Sequence, residues 1–265
     1  MPGRMQGKSV LVMGGGALTD GWSNGKAAAV LYAREGARVM VADKDLAAAK
    51  RTQAIILGEG GQAEVLRADV TVNDDMAQAA TATREAFGRI DVLHNNVGII
   101  DTGGAVEASE QSWNHVIATN QTGIFLACKH VLPIMVEQNK GAVVNISSVA
   151  GVRWLGFPYI AYSASKAAIL AMTQNIALQY AKQGIRANCV LPGLLNTPMI
   201  REPLAANYGA GVAEMLAIRD AQSPTGKMGD AWDTAYASLF LASDEAKYVN
   251  GTQIIVDGGL SCKTS

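Results

Sequence analysis

Tyr162 and Lys166 bring a phenol and an ammonium into one short segment, Tyr-Ser-Ala-Ser-Lys. In a helix, this four-residue spacing places both side chains on one face, one turn apart. An isolated tyrosine has a pKa of about 10, and a nearby positive charge stabilises its phenolate, so that the phenol exchanges a proton closer to neutral pH. The pair indicates acid/base chemistry, although Tyr-x-x-x-Lys alone also arises by chance in many helices.

A glycine-rich turn near the N-terminus is typical of a nucleotide phosphate site. Gly14, Gly15 and Gly16 directly follow the apolar segment Ser9–Met13, and Gly25 opens a run of strong helix formers. Glycines let the backbone approach a pyrophosphate closely, and a helix N-terminus offers N–H groups and a favourable dipole. A turn that merely joins a strand to a helix looks similar, so this signal is weak by itself.

Asp43 ends the second predicted strand and bears on the choice of cofactor. A carboxylate at this place can accept hydrogen bonds from both ribose hydroxyls of NAD and repels the additional phosphate of NADP. Asp43 could instead cap the following helix, and the neighbouring Lys44 could tolerate a phosphate. The sequence favours NAD as the cofactor, with NADP as the alternative.

Strand-like and helix-like segments alternate along the chain. This alternation predicts an α/β fold with a doubly wound, mostly parallel sheet and helices on both faces, formed by a single domain over residues 1–265. The stretch from Asn196 to Met228 interrupts the alternation with prolines and glycines, and a loop of that length is a candidate substrate lid. Strands are predicted at Ser9–Met13, Arg38–Ala42, Ala63–Arg67, Val92–His94, Ala142–Ile146, Arg186–Leu191 and Gln253–Val256, and helices at Lys26–Glu35, Leu46–Leu57, Asp74–Phe87, Ser112–Gln138 and Ala161–Gln183.

Composition excludes several classes of protein. The 265 residues are 49% hydrophobic and 17% charged, which suffices for a large core. The formal net charge is −1 and the basic residues are scattered, which argues against a nucleic-acid surface. The short apolar segment near the N-terminus resembles neither a secretory signal nor a membrane span, so we expect a soluble, cytoplasmic protein. The three cysteines and three histidines are isolated from one another, which argues against a metal site or a disulfide framework.

Five further motifs accompany the tyrosine and the lysine. They are Asn95-Asn96-Val97-Gly98, Asn120, Asn145-Ile146-Ser147-Ser148-Val149-Ala150-Gly151, Pro192-Gly193 and Val256-Asp257-Gly258-Gly259. With them, the chain from Lys8 to Leu260 resembles the short-chain dehydrogenase/reductase family. The resemblance implies a Rossmann-type fold and an oxidoreductase that moves a hydride between NAD and a secondary alcohol or ketone.

The resemblance also implies four catalytic residues. Tyr162 would be the general acid for carbonyl reduction, or the base for alcohol oxidation. Lys166 would hold the nicotinamide ribose and lower the pKa of the phenol. Ser148 would hydrogen-bond the substrate oxygen, and Asn120 would shape its helix and support a water path for the proton.

The positions that the resemblance assigns to the cofactor lie at several strand ends. Asp69 and Val70 would meet the adenine, and Asn96 and Gly98 would line the adenosine ribose side. The segment from Pro192 to Thr197 would contact the nicotinamide end. The predicted cofactor set is Gly14, Gly16, Ser23, Asn24, Gly25, Asp43, Asp69, Val70, Asn96, Gly98, Tyr162, Lys166, Pro192, Gly193 and Thr197.

The glycine loop departs from the family pattern. Met13 stands in place of the usual threonine, and the stretch from Ala17 to Asn24 makes the loop several residues longer. If Gly25 matches the last glycine of the pattern, Ser23 occupies the position of the middle one. Ser23 could then supply a hydroxyl donor to the phosphates.

The spacing before the tyrosine also departs from the pattern. One extra residue separates Ser148 from Tyr162 relative to the commonest arrangement, and choosing Ser147 would lengthen the gap further. Ser148 is therefore the predicted catalytic serine. Tyr159 is followed four positions later by Ser163 instead of a lysine, so we expect it to face the substrate.

The predicted substrate walls are Val97 to Ile100, Val149 to Tyr159, and Leu194 to the lid. The aromatic and apolar side chains of the middle segment favour a hydrophobic or cyclic secondary alcohol or ketone. Trp154 could instead pack against a neighbouring subunit or the lid. Arg153 could bind a substrate carboxylate, but we expect it to be an exposed surface charge. The predicted substrate contacts are Ser148, Ala150, Trp154, Tyr159 and Leu194.

Three other interpretations stay open at this point. The alternative enzyme is a dihydrodiol-type dehydrogenase or an enoyl reductase. The enoyl reductase is disfavoured, because carbonyl chemistry suits the full set of Ser148, Tyr162, Lys166 and Asn120. A nucleotide-sensing regulator is the alternative without turnover. The family resemblance also implies a homotetramer, with the two long predicted helices across one interface and Val249 to Ser265 near another.

Overall fold

The computed structural model describes residues 3–17, 19, 21–200 and 211–263. One sheet contains seven strands in the order β3-β2-β1-β4-β5-β6-β7, and every neighbouring pair is parallel. The strand order therefore reverses between β1 and β4, which is where such sheets open a crevice for a ligand. The strands are β1 (Ser9–Met13), β2 (Arg38–Asp43), β3 (Gln62–Arg67), β4 (Val92–Asn95), β5 (Gly141–Ile146), β6 (Ile185–Pro192) and β7 (Gln253–Val256).

Helices cover both faces of the sheet. Side chains alternate along each strand, so Val10 and Val12 of β1 pack in one apolar cluster and Leu11 and Met13 pack in the other. Helices α1 and α8 belong to the first cluster, and α3, α5 and α6 belong to the second. The helices are α1 (Asn24–Arg34), α2 (Leu46–Gly58), α3 (Asn73–Phe87), α4 (Glu110–Ile117), α5 (Gly123–Gln138), α6 (Ile160–Gln179), α7 (Val212–Gln222) and α8 (Ala231–Ala242).

All seven predicted strands are confirmed, with bounds that differ by at most one residue at an end. The long helix predicted from Ser112 to Gln138 is divided, because a π-helical turn over Ala118–Thr122 separates α4 from α5. Helix α8 was missed by the sequence analysis. Its signal was local: Asp230 and Asp233 form a reciprocal capping box in front of an apolar run.

The prediction of a long loop between Asn196 and Met228 is wrong for part of that stretch. Residues 212–222 form the three turns of α7, because Val-Ala-Glu-Met-Leu-Ala-Ile-Arg-Asp-Ala-Gln is rich in good helix formers and only its flanks carry Gly211 and Pro224. The lid prediction also falls on residues 201–210, which lie outside the described residues.

No helix in the described part of the chain is long and apolar enough to cross a membrane. Cys128 and Cys189 are buried free thiols and Cys262 is an exposed one. Over the same described ranges, no three histidine, cysteine or acidic side chains are grouped so that they could hold a metal ion.

Candidate active site

The carboxyl ends of β4, β5 and β6 border an open cleft of about 850 Å³. Asn96 and Gly98 follow β4, Ser147 and Ser148 follow β5, and the segment from Pro192 to Leu195 ends and follows β6. Parallel strands bring their carboxyl ends to one edge of the sheet, which explains why residues distant in sequence meet here.

Tyr162 and Lys166 lie in the first two turns of α6, and both side chains line the cleft. The Lys166 Nζ atom is buried and donates a 2.9 Å hydrogen bond to the carbonyl oxygen of Ile146 at the end of β5. It also lies 5.7 Å from the centre of the Tyr162 ring. The structure therefore places the phenol and the ammonium together, as their spacing predicts.

Burial shifts both groups towards their neutral forms. It raises the pKa of the Tyr162 phenol above its ordinary value, while the hydrogen bond with Ser148 and the positive charge of Arg219 act in the opposite direction. Burial lowers the pKa of the Lys166 ammonium to about 8. Desolvation outweighs the lowering by Ser148 and Arg219, so the pKa of the phenol lies above its ordinary value, and the lowering assigned to Lys166 stays a prediction.

The two adjacent serines after β5 have different surroundings. The Ser147 hydroxyl donates to the backbone carbonyl of Lys166 at 2.7 Å and so fixes α6 against the sheet. The Ser148 Oγ atom accepts from the Ala150 amide at 3.1 Å and is hydrogen-bonded to the Tyr162 phenol. Ser148 is therefore the serine whose hydroxyl meets the phenol, in agreement with the choice made from spacing.

Asn120 occupies the π-helical turn between α4 and α5 and is fully buried. Its Oδ1 atom accepts from the Ile99 amide at 2.8 Å, and its Nδ2 atom donates to the Ile99 carbonyl and to Ser165 Oγ. Ser165 in turn donates to the Tyr162 carbonyl at 2.7 Å. Asn120 therefore connects the loop after β4 to the helix that carries the tyrosine.

Gly98 lies beside the lysine. A Cβ atom at this position would lie 3.1 Å from Lys166 Nζ and 3.7 Å from Asn120 Oδ1. A side chain here would crowd the ammonium, which would have to shift by a few tenths of an ångström.

Many of the residues that line the cleft with Tyr162 are apolar. Ala150, Leu155, Tyr159 and Leu194 all line the cleft, and Tyr159 meets the Tyr162 ring edge to face with 6.1 Å between ring centres. The remaining apolar lining residues are Ile100, Ile146, Pro192, Leu195, Met199 and Ile200. Trp154, a predicted substrate contact, does not line the cleft, and 73% of its surface is exposed.

Comparison with known proteins agrees with this geometry. The profile of the family described as enoyl-(acyl carrier protein) reductase matches residues 18–261. A curated relative, 2,5-dichloro-2,5-cyclohexadiene-1,4-diol dehydrogenase LinX of Sphingobium indicum, is 40% identical over 98% of this chain and 99% of its own. The chain belongs to the short-chain dehydrogenase/reductase family. It is accordingly an oxidoreductase that acts on CH–OH groups with a nicotinamide cofactor.

Two other members of the family show how complete the similarity is. The 2-(S)-hydroxypropyl-CoM dehydrogenase 3 of Xanthobacter autotrophicus is 36% identical over 98% of this chain and 99% of its own. A solved structure from Burkholderia xenovorans, described as a short-chain dehydrogenase/reductase, is 42% identical and superposes with a TM-score of 0.92, covering 99% of this chain and 100% of its own.

The lengthened glycine loop of this short-chain dehydrogenase/reductase keeps its close contacts. A Cβ atom on Gly25 would lie 2.0 Å from the Gly14 carbonyl oxygen and 2.6 Å from Asn96 Nδ2, so a side chain is excluded there. Asn96 Nδ2 also donates to the Gly14 carbonyl at 3.0 Å and ties the end of β4 to the loop.

The hydroxyl of Ser23 is engaged within its own loop, and its assignment as a donor to the phosphates stays a prediction. Ser23 is the N-cap of α1: its Oγ atom donates to the Gly16 carbonyl at 2.7 Å and accepts from the Lys26 amide at 3.2 Å. The hydroxyl hydrogen goes to the Gly16 carbonyl, and the oxygen accepts from a helix N-terminal amide that would otherwise lack a partner within the helix.

The side chain of Asp43, the last residue of β2, is hydrogen-bonded to the glycine loop. Its Oδ2 atom accepts from the Gly16 amide at 3.0 Å, and its Oδ1 atom accepts from the Asp45 amide at 3.0 Å. The alternative in which Asp43 caps the next helix is not what the structure shows, since Asp45 is the N-cap of α2.

Asp69 and Val70 follow β3 and do not line the cleft. The Asp69 carboxylate accepts hydrogen bonds from the amide and the hydroxyl of Thr71. Both bonds lower the pKa of that carboxyl, and the bond from the amide has the larger effect. Both residues lie at the carboxyl edge of the sheet, on the β3 side of the glycine loop, and their assignment to the adenine stays a prediction.

Sequence analysis missed two groups of residues. Arg219 of α7 lines the cleft, which the sequence could not show because the placement of α7 is a tertiary matter. The other group anchors the glycine loop: Trp22 packs on Trp232 of α8 with 4.7 Å between ring centres, and Lys26 Nζ lies 4.8 Å from the Trp22 ring and donates to the Gly21 carbonyl.

We expect Trp22→Ala to raise the KM for the cofactor about tenfold with kcat nearly unchanged. The substitution removes an aromatic pair and a cation–π contact, together about 1 to 2 kcal/mol, from the loop that must hold the phosphates, and leaves the catalytic residues alone. Steady-state kinetics with varied cofactor measures the effect. The matched control is Trp154→Ala, which removes an exposed tryptophan outside the cleft, and equal kinetics for the two variants would contradict the anchoring role.

Proposed function

We propose that this protein interconverts hydrophobic or cyclic secondary alcohols and their ketones with NAD as the cofactor. The observation that carries the proposal is the convergence of Tyr162, Ser148 and Lys166 in one cleft whose other lining residues are largely apolar. The overall reaction is balanced: the alcohol and NAD⁺ give the ketone, NADH and one proton.

Tyr162 handles the proton in this proposal. In alcohol oxidation its phenolate takes the hydroxyl proton, and in ketone reduction its phenol gives a proton to the carbonyl oxygen. Ser148, which is hydrogen-bonded to the phenol, also donates to the substrate oxygen and stabilises the charge that develops there. Bound NAD would supply the hydride acceptor for alcohol oxidation, and bound NADH would supply the hydride donor for ketone reduction.

Lys166 and Asn120 position these groups. The ammonium is anchored on the Ile146 carbonyl, beside the phenol, where it can also bind the hydroxyls of the nicotinamide ribose. Asn120 holds the loop after β4 against α6 and supports the path by which the proton leaves.

The residues present at the glycine loop fit a dinucleotide. The Oδ1 atom of Asn24, in the first turn of α1, is buried without a hydrogen-bond partner and lines the cleft. Gly14 and Gly25 let the loop and the start of α1 pack closely against each other, and the N-terminus of α1 favours the negative charge of a diphosphate. Asn24, Asn96, Gly98, Pro192, Gly193 and Thr197 line the cleft between this end and the tyrosine.

The preference for NAD rests on Asp43. We expect Asp43→Ser to shift the ratio of kcat/KM values for NAD and NADP about 100-fold towards NADP, because the variant no longer repels the additional phosphate and binds the ribose less well. The matched control is Asp45→Ser, which keeps an N-cap residue on α2 and leaves the ratio unchanged. A wild-type protein that already prefers NADP would contradict the assignment.

The substrate class is supported by the apolar wall and by two relatives. One relative is named for a cyclohexadiene diol and the other for a hydroxypropyl thioether of coenzyme M, and both names describe secondary alcohols. The Tyr159 ring, stacked edge to face on Tyr162, provides a flat surface beside the reacting group. We therefore include cyclic diols among the alcohols to be tried.

The proposal is tested by following NADH absorbance with cyclohexanol, cyclic diols and open-chain secondary alcohols, and separately with an enoyl thioester. Oxidation of cyclic alcohols is the expected result. Turnover of the enoyl thioester alone would establish the enoyl reductase instead. Binding of NAD with no turnover of any substrate would favour the nucleotide-sensing regulator.

Assembly and location form part of the proposal. We infer a cytoplasmic homotetramer, supported by the exposed apolar side chains of Phe125 on α5, Leu178 on α6 and Ile255 on β7, which lie on the elements expected at the two interfaces. The free thiols of the three cysteines suit a reducing compartment. Light scattering of the purified protein tests the tetramer.

We propose the substrate lid in the segment that includes Thr197 and α7, because residues of both line the cleft.

A further inference from the structure

Arg219 places a buried guanidinium in the wall of the cleft. The residue lies near the end of α7 and is only 5% exposed, yet it lines the same cleft as Tyr162. Met215, one turn earlier on the same face, is packed with Tyr159 and Leu194. Arg219 therefore belongs to the substrate wall of the cleft.

The charge of Arg219 reaches the reacting end of the cleft. It is close enough to the Tyr162 phenol to lower its pKa. Lys166 and Arg219 are the two cations among the described residues that line the cleft, and that same set contains no aspartate or glutamate. Arg219 has interactions of its own within the protein, so the argument rests on where its charge lies.

A guanidinium in such a place has a preferred ligand. Its planar N–H groups match the two oxygens of a carboxylate, and an ion pair excluded from water is stronger than one on the surface. An arginine that served only to hold α7 would not need to border the cleft. The neighbouring Arg153, which was considered from sequence, is exposed, bonds to the carbonyls of Val152 and Ser261, and does not line the cleft.

We propose that Arg219 is a specificity residue that binds a carboxylate on the substrate, so that the preferred substrates are secondary hydroxy acids and keto acids with an apolar, cyclic framework. This inference rests on the proposed alcohol and ketone chemistry and narrows it. The carboxylate lies against Arg219, the apolar framework lies along Leu155 and Tyr159, and the reacting oxygen meets Ser148 and Tyr162.

The test uses two ketones with the same ring, the anionic 4-oxocyclohexanecarboxylate and its neutral methyl ester, each reduced with NADH by the wild type and by Arg219→Met. We expect the wild type to prefer the acid about 100-fold in kcat/KM, the scale of a charge-assisted pair. In Arg219→Met, kcat/KM for the acid should fall about 100-fold, and kcat/KM for the ester should change by less than about threefold. Arg219→Lys, which keeps the charge without the planar fork, should fall between the two.

Two controls separate this role from a structural one. Arg153→Met removes an exposed arginine and should leave both ketones unaffected. NADH binding, followed by fluorescence titration, should be the same in the wild type and Arg219→Met, since the arginine is assigned to substrate and not to cofactor. Equal losses for the acid and the ester, weaker NADH binding, or a wild-type preference for the ester would each overturn the proposal.

A failure of the proposed function is distinguishable from a failure of this inference. If neither ketone is reduced, binding of each to the complex of the protein with NAD⁺ is measured by calorimetry. Binding of the acid that exceeds that of the ester and disappears in Arg219→Met would retain the role of Arg219 while the alcohol chemistry is abandoned. Equal or absent binding of the two compounds would end the proposal.

Discussion

Tyr162→Phe is expected to lower kcat about 1,000-fold in both directions while the affinity for NADH stays within about threefold of the wild type. The substitution removes the proton donor and acceptor but keeps the aromatic ring, which packs edge to face on Tyr159 with 6.1 Å between ring centres. The loss should therefore fall on the chemical step. Steady-state rates with a cyclic alcohol and its ketone, together with fluorescence titration of NADH, measure it.

The matched control for this prediction is Tyr159→Phe. That variant loses a hydroxyl from the same cleft, at a position without a lysine four residues later, and should change KM by less than about tenfold with kcat nearly intact. If kcat falls by the same factor in Tyr162→Phe and Tyr159→Phe, Tyr162 is not the residue that transfers the proton. If Tyr162→Phe abolishes NADH binding, the substitution has disturbed the site and not the proton transfer.

The pH dependence of the wild type follows from the same group. Burial raises the pKa of Tyr162, and alcohol oxidation needs the deprotonated phenol, so kcat/KM for oxidation should rise with pH across the neutral range. Ketone reduction needs the protonated phenol and should be nearly flat over that range. The residual activity of Tyr162→Phe should lack the rise.

Much of the fold and part of the site could be predicted because they depend on short-range patterns. The alternation of strand-like and helix-like segments located every strand to within one residue at each end. The spacing of Tyr162 and Lys166 on one helix, and of Ser148 at the end of β5, specified three residues that parallel strands then bring to one edge.

The features that sequence could not supply depend on contacts between distant segments. Trp22 gives no sign of its role until α8 brings Trp232 against it, and Arg219 resembles any helical arginine until α7 is placed over the cleft. The N-cap role of Ser23 was not foreseen, because its position in a glycine pattern drew attention to a ligand contact and not to the bonds within its own loop. Trp154 was misjudged because aromatic composition does not reveal the direction in which a loop side chain faces.

Lys166→Met should be about as damaging to catalysis as Tyr162→Phe, and should at the same time stabilise the cofactor-free protein. The variant loses the ammonium that lies beside the phenol and is assigned to the nicotinamide ribose, so we expect a loss of about 1,000-fold in kcat/KM and a raised KM for NAD. Stabilisation is expected because the wild type holds this ammonium in a buried place, where charge is costly.

The sign of the stability effect follows from linkage. Burial lowers the pKa of Lys166 from its ordinary 10.5 to about 8 in the folded protein. Below pH 8 the ammonium is charged in both the folded and the unfolded protein, and the full cost of burying the charge opposes folding. Between pH 8 and 10.5 the folded protein loses this proton while the unfolded protein keeps it, so the cost declines as pH rises. At pH 7 the variant should gain about 1 to 2 kcal/mol in free energy of unfolding, less than the full penalty because the Ile146 carbonyl loses its partner.

Chemical denaturation at several pH values measures this gain, with Lys182→Met as the control because Lys182 is exposed in the turn after α6. The advantage of Lys166→Met over the wild type should shrink by about 1 kcal/mol per pH unit between pH 8 and 9, while the control shows no such trend. A variant that is less stable than the wild type at every pH would mean that the ammonium stabilises the fold. The large loss of activity would then report a damaged structure, and the assignment of Lys166 to cofactor and proton transfer would lose its support.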